Sequence, residues 1–133
     1  MLIFPDIEKA LVAYFKQALE DNGSELASDV RVATIHSQPD EATPSKQIVI
    51  IGAYSTETVD RVTKLASATI EVYAEDYETA STLALLVEAL VRNCTGDSIK
   101  RAEVRIGPVR TTEESQQERR SLDVELIVKG TDL

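Results

Sequence analysis

The hydrophobic positions change period as the chain is read from its N-terminus. From Ile7 to Leu19 they recur at helical spacing, as Ile7, Ala10, Leu11, Tyr14, Phe15, Ala18 and Leu19, which predicts an amphipathic helix. Pro5 suits its first turn, Asp6 and Glu8 suit its positive end, and Asn22-Gly23 supplies a stop. VRVATI (30–35) then reads as a strand, and HSQPDEATPS (36–45) as a flexible, proline-marked loop. KQIVIIGAY (46–54) is a continuous β-branched run, predicting a strand with much of both faces covered. The polar stretch 55–67 fits a loop, a short helical turn or the start of the next strand. ASATIEVYA (66–74) is the third strand.

A second helical stripe follows from about Tyr77 to Asn93, formed by Ala80, Leu83, Ala84, Val87, Leu90, Val91 and Cys94, with Gly96 placed to end it. Period-2 alternation returns in AEVRIGPV (102–109) and in RSLDVELIVKG (120–130), on either side of a charged segment, 110–119, read as a loop. The predicted order is α-β-β-β-α-β-β. It implies an α+β fold: a two-layer domain spanning 1–133, with two helices on one face of a mainly antiparallel sheet of about five strands. Glu71, Arg105, Asp123 and Glu125 would alternate onto the other face, toward solvent or a partner.

Composition narrows the functional classes. The chain has 133 residues, 43% hydrophobic and 28% charged, a globular composition of single-domain size. No apolar run approaches the roughly 18–20 residues that span a bilayer. The N-terminus lacks a basic n-region and is interrupted by Pro5-Asp6, so no signal peptide is expected. One cysteine excludes an internal disulfide framework and fits a reducing compartment. The net charge of −9 argues against tight phosphate-backbone binding, while suiting a surface that DNA passes without sticking. Acids outnumber bases 15 to 7 over residues 1–96 but only 8 to 7 over 97–133.

The densest candidate chemistry lies in ATIEVYAEDYETA (68–80), where Glu71, Glu75, Asp76 and Glu78 crowd a strand-to-helix junction. Such acids can bind a hard cation or divide acid and base roles. The plainer expectation is that Asp76 caps the helix, Glu75 and Glu78 complement its dipole, and Glu71 belongs to the outward face. His36 stands alone in a loop and reads as polar surface, and Cys94 sits on an apolar stripe as a small core residue. The glycines at 23, 52, 96, 107 and 130 form no phosphate cradle, and Gly107-Pro108 should end or bend a strand. No serine sits in a nucleophile elbow. No catalytic residue, cofactor or metal site is therefore expected. Glu113, Glu114, Glu118, Arg119 and Arg120 form either a charged docking edge or a solvated hairpin loop.

Three quoted stretches together carry a resemblance: FPDIEKALVAYF, ATIEVYAEDYETASTLALLVEAL and RRSLDVELIVKG. In element order and character over nearly the whole chain, the sequence resembles the tail-terminator proteins of long-tailed bacteriophages, within the small tail-completion and head–tail joining proteins. The resemblance implies a structural protein, not an enzyme, that forms a ring with itself, typically a hexamer. The ring would cap the tail tube at the length set by the tape-measure protein and stop polymerisation of the tail tube protein. It would then dock the head-completion (connector) complex, at the head-proximal end of the virion tail, after assembly in the host cytoplasm. DNA would only pass through, and no membrane would be involved. Glu71, Glu113, Glu114, Glu118, Arg119, Arg120, Asp123 and Glu125 are the expected interface residues, with Arg119 and Glu114 as an intersubunit pair. Other readings are a neighbouring head–tail joining protein, an intracellular dimeric regulatory or ligand-binding α+β module, and a small metal-dependent enzyme using the junction acids.

Overall fold

A computed structural model describes residues 1–96, 98–111 and 117–132. The element order is β1 (Leu2–Ile3), α1 (Ile7–Asn22), β2 (Arg31–Ala33), β3 (Gln47–Thr58), β4 (Thr63–Ala74), α2 (Tyr77–Arg92), β5 (Ile99–Thr111), β6 (Glu118–Lys129) and β7 (Thr131–Asp132). The predicted α-β-β-β-α-β-β order is present, flanked by two short terminal strands that pair with each other. The main sheet has five strands in the order β2-β3-β4-β6-β5. Only β2–β3 is parallel among its pairings; the rest are antiparallel.

Both helices begin where their capping residues dictate. Asp6 accepts a hydrogen bond from the Lys9 amide at 3.1 Å, and Asp76 from the Thr79 amide at 2.7 Å, each meeting one orphan donor of a first turn. Those bonds to Thr79 hold the Asp76 carboxyl below its ordinary pKa. Gly23 ends α1 with φ 67°, its amide bonded to the Leu19 carbonyl, a left-handed conformation that glycine adopts without a Cβ penalty. Gly96 does not play that part for α2. Asn93 ends the helix, its side chain donating to the Ala89 carbonyl at 2.8 Å, while Gly96 lies three residues on and bonds the Ile99 carbonyl.

The helices lie on one face of the sheet. Leu11, Phe15 and Leu19 from α1, and Leu83, Ala84, Val87 and Val91 from α2, meet Ile48, Ile50, Ile70, Val72, Leu122, Val124, Leu126 and Val128 in one core. Each large aliphatic or aromatic side chain there contributes about 1.5–3 kcal/mol by leaving water. Tyr14 joins the two helices by donating its hydroxyl to the Leu90 carbonyl. Burial, with Cys94 nearby, pushes that phenol up to about 12. Cys94 is buried in the same core, and its thiol is pushed up to about 11, as expected of a packing residue rather than a nucleophile.

β2 covers only Arg31–Ala33 of the expected 30–35, whereas the later strands run longer than the sequence pattern indicated. Residues 55–58 extend β3, residues 63–67 begin β4, and a turn closed by Asp60, which accepts from Val62 and Thr63, joins them. Of the stretch 110–119 expected to be a loop, Arg110 and Thr111 belong to β5 and Glu118 and Arg119 to β6. Gly107 bends β5 from within rather than ending it. Its φ is 104°, and the ladder loses register between Ile106 and Val109. A Cβ there would lie 2.4 Å from the Ser121 carbonyl oxygen, so only glycine lets the two strands approach this closely.

Candidate functional site on the open sheet face

Pleating sends alternate side chains of β4 and β6 away from the helices. The register then fixes neighbours on that open face. Gln47, Tyr73, Arg119 and Thr111 share one row; Val49, Glu71, Ser121 and Val109 the next; Ile51, Thr69, Asp123 and Ile106 a third; Tyr54, Ser67, Glu125 and Glu103 a fourth. The expectation that Glu71, Asp123 and Glu125 point away from the helices agrees with this register.

Those charges are largely matched within the chain. Arg119 contacts Glu71 at 2.9 Å, with only 15% and 13% of their side chains exposed. Tyr73 donates its hydroxyl to the same Glu71 oxygen at 2.8 Å. Burial raises the Tyr73 phenol above its ordinary value, against a lowering by Arg119. Asp123 accepts from the Thr69 hydroxyl, and Arg105 pairs with Glu125. Glu113 and Glu114 lie outside the described residues, and with them the expected Arg119–Glu114 pair.

Arg120 corrects the picture of a two-arginine docking edge. Successive strand residues point to opposite faces, so Arg120 turns toward α2 while Arg119 turns outward. Arg120 is 4% exposed, donates to the Ser81 hydroxyl and the Tyr77 carbonyl, and sits over the Tyr77 ring. Glu118 bridges it to Arg110, and these guanidinium hydrogen bonds lower the Glu118 carboxyl. The group ties β5, β6 and α2 together and leaves Arg120 no free surface.

A strap crosses one end of the open face. Gln47, fully buried, donates to the Ser37 and Pro44 carbonyls at 2.6 and 3.2 Å and accepts from the Ser37 amide and the Arg31 guanidinium. The segment 36–45, expected to be flexible, is thus bonded down at both of its ends. His36, expected as plain polar surface, stacks on Tyr73 with ring centroids 4.1 Å apart. Gln117 donates to the Ser45 carbonyl at 2.8 Å, which turns its amide oxygen toward His36 Nε2, 2.7 Å away. That arrangement assigns the hydrogen to Nε2. The sequence reading missed Gln47 and Gln117. The available signal was one long polar side chain opening an otherwise β-branched run, which must find partners wherever it is buried.

This arrangement holds the segment 36–45 against the sheet. Glu71 is held by two donors on one oxygen and His36 by a stack and an amide, so neither is placed as a free base. A cleft of about 480 Å³ beside the strap is lined by residues including Pro39, Asp40, Thr43, Ser45, Glu75 and Gln117. Among the described residues, no group of three or more His, Cys, Asp and Glu side chains could hold a metal ion, and no helix is long and apolar enough to cross a membrane. Beyond the strap the face stays open, with Tyr54 and Ile106 each more than half exposed.

No family model and no curated protein sequence matches the chain. Among solved structures, a chain described as "Virion of native gene transfer agent (GTA) particle" aligns with a TM-score of 0.66 at 14% identity, over 90% of this chain and 95% of its own length. Another aligns over 95% and 96% at 15% identity, with a TM-score of 0.49, too low to weigh. At these identities the first likeness is one of fold: the whole α+β arrangement of helices over a largely antiparallel sheet recurs in a chain of that particle.

Proposed function

We propose that the protein is a structural component of a phage-like virion and acts as its tail terminator. The observation that carries this reading is the full-length likeness in fold to a chain of a gene transfer agent virion, which agrees with the tail-terminator resemblance of the sequence. The subunits form a ring, a hexamer in this reading, that sits on the last ring of the tail tube. One ring face matches the tube protein, and the other lacks the tube's self-complementary surface, so growth stops and the head-completion complex docks there. The chemistry is binding throughout. The open sheet face supports this assignment because its ion pairs are rigidly set and largely internal, leaving geometry and a few exposed apolar side chains to choose partners.

The test is the subunit count of the purified protein, by light scattering and native mass spectrometry across concentration and salt, alone and with the tail tube protein. A closed six-membered species in either setting supports the reading. A strict dimer in both settings refutes it and favours a dimeric binding module.

A further inference from the structure

The main sheet has two edges, and they are unlike. Among the described residues, β2 covers β3 only at Gln47–Val49, so β3 from Ile50 to Thr58 presents a row of backbone donors and acceptors with no strand pairing on that side. Natural edge strands are usually protected by lysine, proline or a covering element. This one has neither residue: it reads IIGAYSTET, with Glu57 its single charge and every side chain from Tyr54 onward exposed. The opposite edge, β5, carries Lys100, Arg101, Arg105 and Arg110; the three arginines pair with Glu103, Glu125 and Glu118, and Lys100 lies next to Arg101 at the Ile99 end. Like charge disfavours β5 against a second β5 and favours an acidic strand.

We infer that β5 of one subunit adds to the free half of β3 of the next, joining their sheets edge to edge. This rests on the ring reading above and names its subunit contact. Strand direction supports it. β3, β4, β6 and β5 alternate in direction, so a following β3 in the same orientation runs antiparallel to β5 and the alternation continues unbroken. The contact joins two different edges, so it is head-to-tail and closes by rotation. Height along the sheet also agrees. Glu57 shares a row with Leu65, Ile127 and Arg101, and Thr58 lies one step beyond, level with the Ile99 end of β5. Without stagger, Lys100 and Arg101 of one subunit meet Glu57 of the next, whereas Asp60 already feels Lys100 of its own chain. Within one subunit three strand spacings, about 14 Å, separate Glu57 from Arg101.

A charge swap tests this. Glu57→Lys and Lys100→Glu, made singly, should each raise the concentration at half-assembly at least about tenfold, and the double variant should return it to near the parent value. Circular dichroism and thermal melts should leave all three folded as the parent. In parallel, Thr58→Cys and Lys100→Cys subunits, mixed under oxidation, should cross-link as dimers, whereas neither alone should; Cys94 is buried and stays out of the reaction. Rings that form without this cross-link and without charge-swap rescue overturn the edge contact and leave the terminator reading standing. Absence of any ring, even with the tail tube protein, removes both. Cross-links within either single variant would instead show a two-fold contact and overturn the inference.

Discussion

Gln47→Leu is the sharpest probe of the strap over the open face. The substitution keeps the side-chain volume, so it adds little cavity, but it removes four hydrogen bonds made by one fully buried amide. Each such bond contributes about 0.5–1.5 kcal/mol net, and a buried group left without a partner costs about 1–3 kcal/mol. The Ser37 and Pro44 groups can recover water if the strap lifts, which limits the loss. The expected destabilisation is therefore about 2–4 kcal/mol, a fall in Tm on the order of 10 °C for a chain of this size. Urea titration measures the first, and hydrogen exchange resolved along the chain measures the second consequence: protection of 36–45 should collapse while Ile70 and Leu122 amides keep theirs. Gln17→Leu is the control, because Gln17 bonds only Asp21 on an exposed helix face. A Gln47→Leu loss below about 1 kcal/mol, with exchange of the strap unchanged, would refute the claim that this amide holds the segment down.

Other expectations follow from single features. Gly107→Ala forces a Cβ against the Ser121 carbonyl at a positive φ, and should cost about 2 kcal/mol or more by urea titration. Asp76→Ala should lower Tm by a few degrees at neutral pH. The folded carboxyl is depressed, so its contribution is fully present above the unfolded value near 4 and fades as pH falls through the folded one; the Tm difference between parent and variant should shrink there, and a difference that grows with acid would contradict the assignment. Cys94, buried with its thiol pushed up to about 11, should react with a disulfide reagent at pH 8 far more slowly in the native protein than in urea. Fast native labelling would contradict its place in the core.

Helix α1 was legible because its stripe, caps and stop agree from Pro5 to Gly23. The inward-facing residues of β4 and β6 were legible because strict alternation leaves one register that buries Ile70, Val72, Leu122 and Val124 together. Arg120 was not, because the reading took 110–119 as loop and gave adjacent arginines one fate. Once β6 begins at Glu118, pleating separates them. The strap was invisible for a different reason. His36 and Ser45 meet Gln117 across as many as 81 residues of sequence, and nothing local in HSQPDEATPS reveals that a glutamine two residues past its end holds it. Glu71 was placed on the correct face, but its pairing with Arg119 and Tyr73 across the ladder was not read.

The central ladder has a consequence for how such a chain can change. β4 and β6 pair without interruption from Thr63↔Lys129 to Ala74↔Glu118, whereas the ladders flanking them shift register between Ile51 and Tyr54, between Ser55 and Glu57, and at three places along β5. One residue gained or lost in β3 or β5 can be taken up by enlarging or erasing a kink already there. The same event inside β4 or β6 would turn every residue beyond it over, delivering Asp123 or Glu71 into the core. Length variation among descendants of this sequence should therefore accumulate in the outer strands, with the inner pair inherited at constant length.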